Sequence, residues 1–420
     1  MRRLVLRLTV LLALLASAVL LPAQAALAFT DVPSSYWDYT AITYVATTHT
    51  WMQDYGTALF QPLTRENRTY LARSLVTMYA PNEPIDPNIT FPDLPVTDPF
   101  YPYANVAVKL GWILPYWDGR WAGGSSVPVS LFDQALINAM GLSVPVAGLN
   151  NIRDGSGKLY PLASRAAQMQ LARWLGLHYD HTDDSLDIQQ STYIRRDEVA
   201  YSLWMAQTLP QWSIDATSIF DSITLPILTT GQQGFTSYEL NQIGYPYIWA
   251  GEWNAVSPPG YCCGSQPQGG FDCSGFVWWV LKKYEDGYNA AQFRAYGGWS
   301  LHERSSQLMA QMTTTHLTYA QLGPGILMFF ASDGGTNWTD VDHVGIYMGN
   351  GWMMHSTGGG PQLQYVGSGY YHDTFVYGRQ LKASSGPPPK VPTGVRLPGA
   401  PAANSLFAGD PPIGPDSNAP

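Results

Sequence analysis

The sequence predicts an α+β protein: an all-α region of three helical-pair units over 29–210, then a region over 231–381 in which one helix packs on an antiparallel sheet. Three observations lead there. Helix-pair patterns recur at 29–85, 86–145 and 146–210, the sign of a repeat. After residue 320 the pattern changes to short apolar runs at 325–330, 343–349 and 352–355, separated by glycine and aspartate turns, which reads as strands. Between these parts one run, Phe-Val-Trp-Trp-Val-Leu at 276–281, has the length and apolarity of a buried helix entered at or near Cys273.

Taken in order, residues 1–28 combine a basic start (Arg2, Arg3, Arg7), an apolar run and small residues, the pattern of a secretory signal. An uncleaved anchor is the alternative. No later stretch approaches the ~18 apolar residues of a membrane span. Unit one opens with Phe29-Thr30-Asp31, continues through a helix at 41–48, and starts its second helix at Leu63-Thr64-Arg65-Glu66. Unit two opens with Phe91-Pro92-Asp93 and ends in a helix over 132–140. Unit three has helices at 165–177 and from Arg196-Asp197-Glu198 to about 207. Residues 211–230 lack a period and read as a linker, 231–243 as an amphipathic helix, and 382–420, rich in proline and glycine, as a disordered tail.

The repeats resemble the S-layer homology family through Phe29-Thr30-Asp31, Leu63-Thr64-Arg65-Glu66, Phe91-Pro92-Asp93 and Arg196-Asp197-Glu198. Unit two has Pro128-Val129-Ser130-Leu131 where Arg and Glu are expected. The resemblance implies attachment to a secondary cell-wall polymer, with Arg65 and Arg196 contacting anionic sugar. A guanidinium offers a fixed fork of donors for that purpose, and the alternative is that each arginine pairs with a nearby glutamate.

Of 420 residues, 13% are charged, and Trp 15, Tyr 26 and Phe 14 make the chain aromatic-rich, which suits an extracellular, carbohydrate-facing protein. The net charge of −9, with no cluster of Lys and Arg, argues against nucleic-acid binding. Three cysteines is an odd number for an exported chain. A bond between the neighbours Cys262 and Cys263 would leave Cys273 reduced; a bridge from either to Cys273 would instead put the thiol under redox control.

Cys273 reads either as a buried structural cysteine or as a nucleophile. A helix start favours the thiolate, because unpaired N–H groups and the positive dipole end stabilise its charge. A thiol nucleophile also needs a base, and the base a third group to orient it. Of eight histidines, His343 and His355 lie in the strand region, flanking the hairpin signal Gly349-Asn350-Gly351, so adjacent antiparallel strands would bring the two imidazoles together. His343 would take the thiol proton and return it to the leaving amine, with His355 orienting it. Asp333, Asp340 and Asp342 read as turn carboxylates, with no regular spacing for calcium and no metal or cofactor expected.

Tyr245-Pro246-Tyr247-Ile248-Trp249-Ala250-Gly251, Phe271-Asp272-Cys273-Ser274-Gly275-Phe276, Leu322-Gly323-Pro324-Gly325 and Asp342-His343-Val344-Gly345-Ile346-Tyr347-Met348-Gly349-Asn350-Gly351, followed by His355, resemble the NlpC-type cell-wall cysteine peptidases. The resemblance implies a papain-like fold and cleavage of peptidoglycan stem peptides after D-γ-glutamyl. It also implies Cys273, His343 and His355 as catalytic residues, Tyr247 as an oxyanion-hole partner, and Asp272, Ser274 and Trp249 at the substrate. An N-acetylmuramoyl-alanine amidase, or a non-catalytic wall-attachment protein, are the other readings.

Overall fold

A computed structural model of the chain describes residues 29–52, 55, 58–183, 186, 187, 189–253, 267, 269–282, 300, 301, 303–313 and 315–381. The expected signal at 1–28, the pair Cys262 and Cys263, and the tail at 382–420 lie outside the described residues.

The amino-terminal part comprises α1 (Tyr39–Thr43, continued by a π-helical turn to Thr48), α2 (Arg68–Tyr79), α3 (Tyr101–Lys109), α4 (Val129–Ala139), α5 (Ser143–Leu149), β1 (Arg153–Asp154), α6 (Ala166–Trp174) and α7 (Arg196–Thr208). Three loops of this part meet in a closed ring. Glu66 N–H donates to Ile194 O, Ile194 N–H to Val127 O, and Val127 N–H to Glu66 O, each at 2.9 Å. The next bonds close a second cycle in the opposite sense: Arg68 N–H to Ser125 O, Val129 N–H to Thr192 O and Arg196 N–H to Thr64 O. Glu66, Val127 and Ile194 therefore occupy equivalent places, as do Arg68, Val129 and Arg196.

This geometry corrects the sequence register. The counterpart of Arg196 is Arg68, not Arg65, because α2 starts at Arg68 with the Asn67 side chain capping Tyr70 N–H at 2.9 Å. Arg68 Nε donates to Trp121 O at 2.8 Å and Arg196 Nε to Phe60 O at 3.0 Å. Upstream aspartates brace the same loops: Asp31 accepts from the N–H groups of Phe60 and Gln61, and Asp93 from those of Trp121 and Ala122.

Two further expectations change. The amino-terminal part is not purely helical, since β1 pairs in parallel with β2 (Thr224–Leu225). The stretch 211–230 is folded rather than a free connection: α8 (Gln211–Ala216) and β2 lie within it, and Phe220 and Leu225 are fully buried. A short apolar stretch needs no internal period when both its sides are covered.

The carboxy-terminal part starts with α9 (Thr230–Leu240), opened by a Thr229–Gln232 capping box. It continues through β3 (Glu252–Trp253), β4 (Gly270–Phe271), α10 (Cys273–Lys282), α11 (Ser306–Gln311), β5 (Leu327–Phe330), β6 (His343–Gly349), β7 (Trp352–Thr357), β8 (Gly360–Tyr365), α12 (Tyr370–Asp373) and β9 (Phe375–Arg379). The last five strands form an antiparallel sheet ordered β8-β7-β6-β5-β9. The β6–β7 hairpin closes through Asn350 at φ 54° and Gly351 at φ 81°, the two positive values a two-residue turn needs. Strands β8 and β9 were not visible in the sequence pattern.

One apolar core runs through both parts, from Val32 to Leu381. Helix α6 covers the edge strand β8. Gln170 Nε2 donates to Leu363 O and its Oε1 accepts from Leu363 N–H, both at 2.8 Å, so a side-chain amide continues the ladder. Trp174 Nε1 donates to Gln364 Oε1 at 3.1 Å, and Phe220 packs on both Trp174 and Trp352. No described helix is long and apolar enough to cross a membrane.

Candidate active site

Helix α10 packs against β6 and β7. Cys273 is its first residue, 8% exposed and not in a disulfide. The turn before it is set by Asp272, whose Oδ1 caps Gly275 N–H and accepts from Ser274 Oγ at 3.1 Å. Gly275 is required by packing. A Cβ there would stand 1.8 Å from Gly251 O, so only glycine lets the first turn of α10 approach that loop.

Arg304 holds this corner together. Its guanidinium donates to Glu252 Oε2 at 2.9 Å, to Asp272 Oδ1 at 3.1 Å, to Ser274 Oγ at 2.7 Å, and to the carbonyls of Ala250 and Gly251 at 3.1 Å each. Arg304, Glu252, Asp272 and Ser274 are all buried. A bare carboxylate beside the thiol would oppose thiolate formation; the guanidinium offsets part of that field, and the helix N-terminus acts in the same direction. The oxygens of Asp272 and Ser274, expected at the substrate, are thus spent within the protein. Sequence reasoning missed Arg304, whose signal was a lone arginine before the α11 N-cap Ser305 in a chain poor in charge.

His343 and His355 share one face of the sheet with Gly345. His343 Nε2 and His355 Nδ1 are 2.8 Å apart, as the hairpin reading expected. Gly345 pairs directly with His355, and a Cβ on it would lie 3.2 Å from that of His355 and 2.3 Å from Met353 Sδ, so the glycine makes room chiefly for the Met353 side chain beside His355. The rings are walled by Phe330 and Tyr371. Burial pushes His343 down to about 3 and, joined by His343 itself, holds His355 well below its ordinary value. Both are neutral bases at neutral pH. His343 Nδ1 and His355 Nε2 have no hydrogen-bond partner, so the Cys273 thiol is not bonded to His343 in this state.

Tyr247, 3% exposed, bridges to Phe271 in parallel, two residues before Cys273. Trp249 is half-buried on the same loop. Asp333, Asp340 and Asp342 accept from nearby backbone N–H groups and close turns, and no group of three metal-ligating side chains occurs among the described residues. Elsewhere, Arg65 is exposed over the Tyr193 ring, whereas Arg196 is fully buried against Glu66 at 3.1 Å and presents nothing to solvent.

The NlpC/P60 family pattern matches residues 244–380. The bifunctional muramidase/DL-endopeptidase CwlT of Bacillus subtilis (strain 168) is 33% identical over 138 residues, 32% of this chain and 32% of that protein. The murein DD-endopeptidase MepH of Escherichia coli (strain K12) is 28% identical over 145 residues, 34% of this chain and 43% of that protein. The chain thus spans 32% and 43% of the length of these two relatives. Among solved structures, an NlpC/P60 family protein from Bacillus cereus ATCC 10987 is 25% identical with a TM-score of 0.27, covering 37% of this chain and 41% of that one. Residues 244–380, which carry the Cys273 helix and the His343–His355 hairpin, are an NlpC/P60 domain.

Proposed function

We propose that the protein is an exported peptidoglycan hydrolase that cuts stem peptides at the D-γ-glutamyl–diamino acid bond by thiol chemistry. The observation that carries this reading is the buried, neutral His343–His355 pair, which leaves His343 Nδ1 without a partner on the strand that α10 packs against. Catalytic hydrogen bonds are often open without substrate and tighten once it is bound.

In the proposed sequence His343 Nδ1 takes the Cys273 proton while its Nε2–H is held by His355 Nδ1. The sulfur adds to the γ-glutamyl carbonyl carbon, and Tyr247 with the Cys273 N–H receives the developing oxyanion. As the C–N bond breaks, His343 returns the proton to the leaving amine of the diamino acid. Water, deprotonated by His343, then hydrolyses the thioester and restores the thiol. Trp249 flanks the bound peptide, and Asp272 and Ser274 shape its site through their bonds to Arg304. No metal or cofactor enters these steps.

The amino-terminal region serves to keep the enzyme at the envelope, with the exposed Arg65 as the candidate contact for an anionic secondary wall polymer and Arg196 as part of the ring. Relatives named DL- and DD-endopeptidases support peptidoglycan as the substrate; the choice of bond rests on the sequence resemblance. Digestion of purified peptidoglycan tests the whole reading: new diaminopimelate or lysine amino termini are expected, and Cys273→Ala should release none. Full lysis by Cys273→Ala, or fragments ending in free lactyl-linked sugar, would refute it.

A further inference from the structure

His355 meets His343 through one ring nitrogen, and its other nitrogen decides how the pair works. A neutral imidazole carries one N–H and one bare nitrogen, so the contact of His343 Nε2 with His355 Nδ1 at 2.8 Å allows two arrangements. In the first, His343 donates through Nε2–H, its Nδ1 is bare and can take the Cys273 proton, and the His355 proton sits on Nε2. In the second, His355 donates through Nδ1–H and the His343 proton is driven onto Nδ1, where it cannot receive another. The choice is set by the group that faces His355 Nε2.

The strand order β8-β7-β6 puts β8 on the side of β7 away from His343. The two nitrogens of an imidazole point away from one another, so a ring whose Nδ1 is turned to β6 turns its Nε2 toward the β8 side. Gln362 on β8 stands directly opposite His355 in the register. Opposed residues share a face with Cβ atoms ~4.5–5.5 Å apart, within reach of an amide and an imidazole. Both residues are buried, and His355 Nε2 and Gln362 Oε1 each lack a hydrogen-bond partner among the described residues. Buried and unpaired, each atom is costly; one can donate and the other accept, so they satisfy each other once the amide turns about its broad terminal torsion. Thr357 Oγ1 is also unpaired, but it lies two residues, ~7 Å, further along β7 and stands opposite Gly360. Phe330 and Tyr371 wall the histidines, so a bond made there is little weakened by water.

We propose that Gln362 is a positioning residue for the thiol reaction: its amide oxygen accepts from His355 Nε2–H, which leaves His355 Nδ1 bare, draws the His343 proton onto Nε2 and frees His343 Nδ1 for Cys273. The inference rests on the hydrolase reading for its catalytic consequence. During the attack the thiol proton goes to His343 Nδ1 and returns from there to the leaving amine. The proton on His355 Nε2 stays in place throughout, and Gln362 gives and takes none.

The test uses the full chain with histidine labelled for nitrogen NMR, the signals being assigned by their loss in His343→Gln and His355→Gln. At neutral pH the wild type should show protonated Nε2 on both His343 and His355 and a bare Nδ1 on His343; a bare His355 Nε2 overturns the proposal. Gln362→Met, of similar length and without hydrogen-bonding groups, should redistribute these protons and lower kcat on peptidoglycan by at least roughly ten-fold, with KM and melting temperature little changed. Thr357→Val should leave the proton pattern as it is. The reverse, a pattern changed by Thr357→Val and untouched by Gln362→Met, also overturns the proposal. If Gln362→Met cuts peptidoglycan as fast as the wild type, the positioning role falls and the hydrolase stands. A wild-type chain that cuts nothing, yet shows a protonated His355 Nε2 that Gln362→Met removes, does the opposite.

Discussion

His343 and His355 are buried as neutral imidazoles, and this ties stability to pH in a definite direction. Their folded-state values are depressed, so between pH 6.5 and about 3 the unfolded chain binds protons that the folded His343 refuses. The contribution of the two histidines is therefore complete above about pH 6.5 and falls below it, by about 1.4 kcal/mol per pH unit for each. Urea unfolding at pH 7, 6 and 5 should give a pH slope that differs by about one proton between His355→Gln and the wild type; identical slopes would contradict it. At the opposite corner Arg304 stands between Glu252 and Asp272, all three buried. Arg304→Ala strands two carboxylates and should cost about 3–5 kcal/mol, with thermal melting as the readout. The histidines were legible because a two-residue hairpin places residues on either side of it opposite one another. Arg304 was not, because its partners are 30–54 residues away and no local pattern encodes them.

At the scale of elements, segments that carry their own punctuation were readable and the rest were not. The α10 run and the Gly349-Asn350-Gly351 turn appear where expected. The start of α2 was misplaced because Thr64-Arg65-Glu66 looks like a helix opening, whereas Asn67 makes the actual cap and Glu66 turns inward to Arg196. Strand β8 is Gly-Pro-Gln-Leu-Gln-Tyr: it alternates only briefly, opens on glycine and proline, and has no β-branched residue to announce it. Its pairing with β7 and its cover by Gln170 define it instead. Gln170→Leu should leave the N–H and C=O of Leu363 unpaired in a buried setting, at about 1–3 kcal/mol each. Hydrogen exchange should then rise at β8 before β6, and equal protection in both strands would count against the role given to Gln170.

For the whole molecule, the sequence suggested a separable anchor, a linker and an enzyme, and the structure shows a continuous core. The segment 211–230 contributes Phe220 and Leu225 to that core, and α6 covers the sheet edge. Linkers and folded connections look alike in sequence when both are short and aperiodic. Residues 231–381 produced alone should expose β8 together with Trp352, and aggregate at concentrations where 29–381 stays monodisperse. Light scattering distinguishes the two outcomes, and a well-behaved fragment would show that the contacts across the junction are dispensable.

The ring at Glu66, Val127 and Ile194 also imposes an order of assembly. Its first contributor waits for a partner 128 residues later in the chain, so the α1–α2 unit cannot complete its hydrogen bonds when it alone has emerged during synthesis. Loops that must close over such separations form late. Until residue 196 arrives, the Glu66 carboxylate has no Arg196 to meet and stays in water. The first unit is thus held half-made by its own geometry, which keeps an early-emerging segment from locking before the third unit is there to receive it.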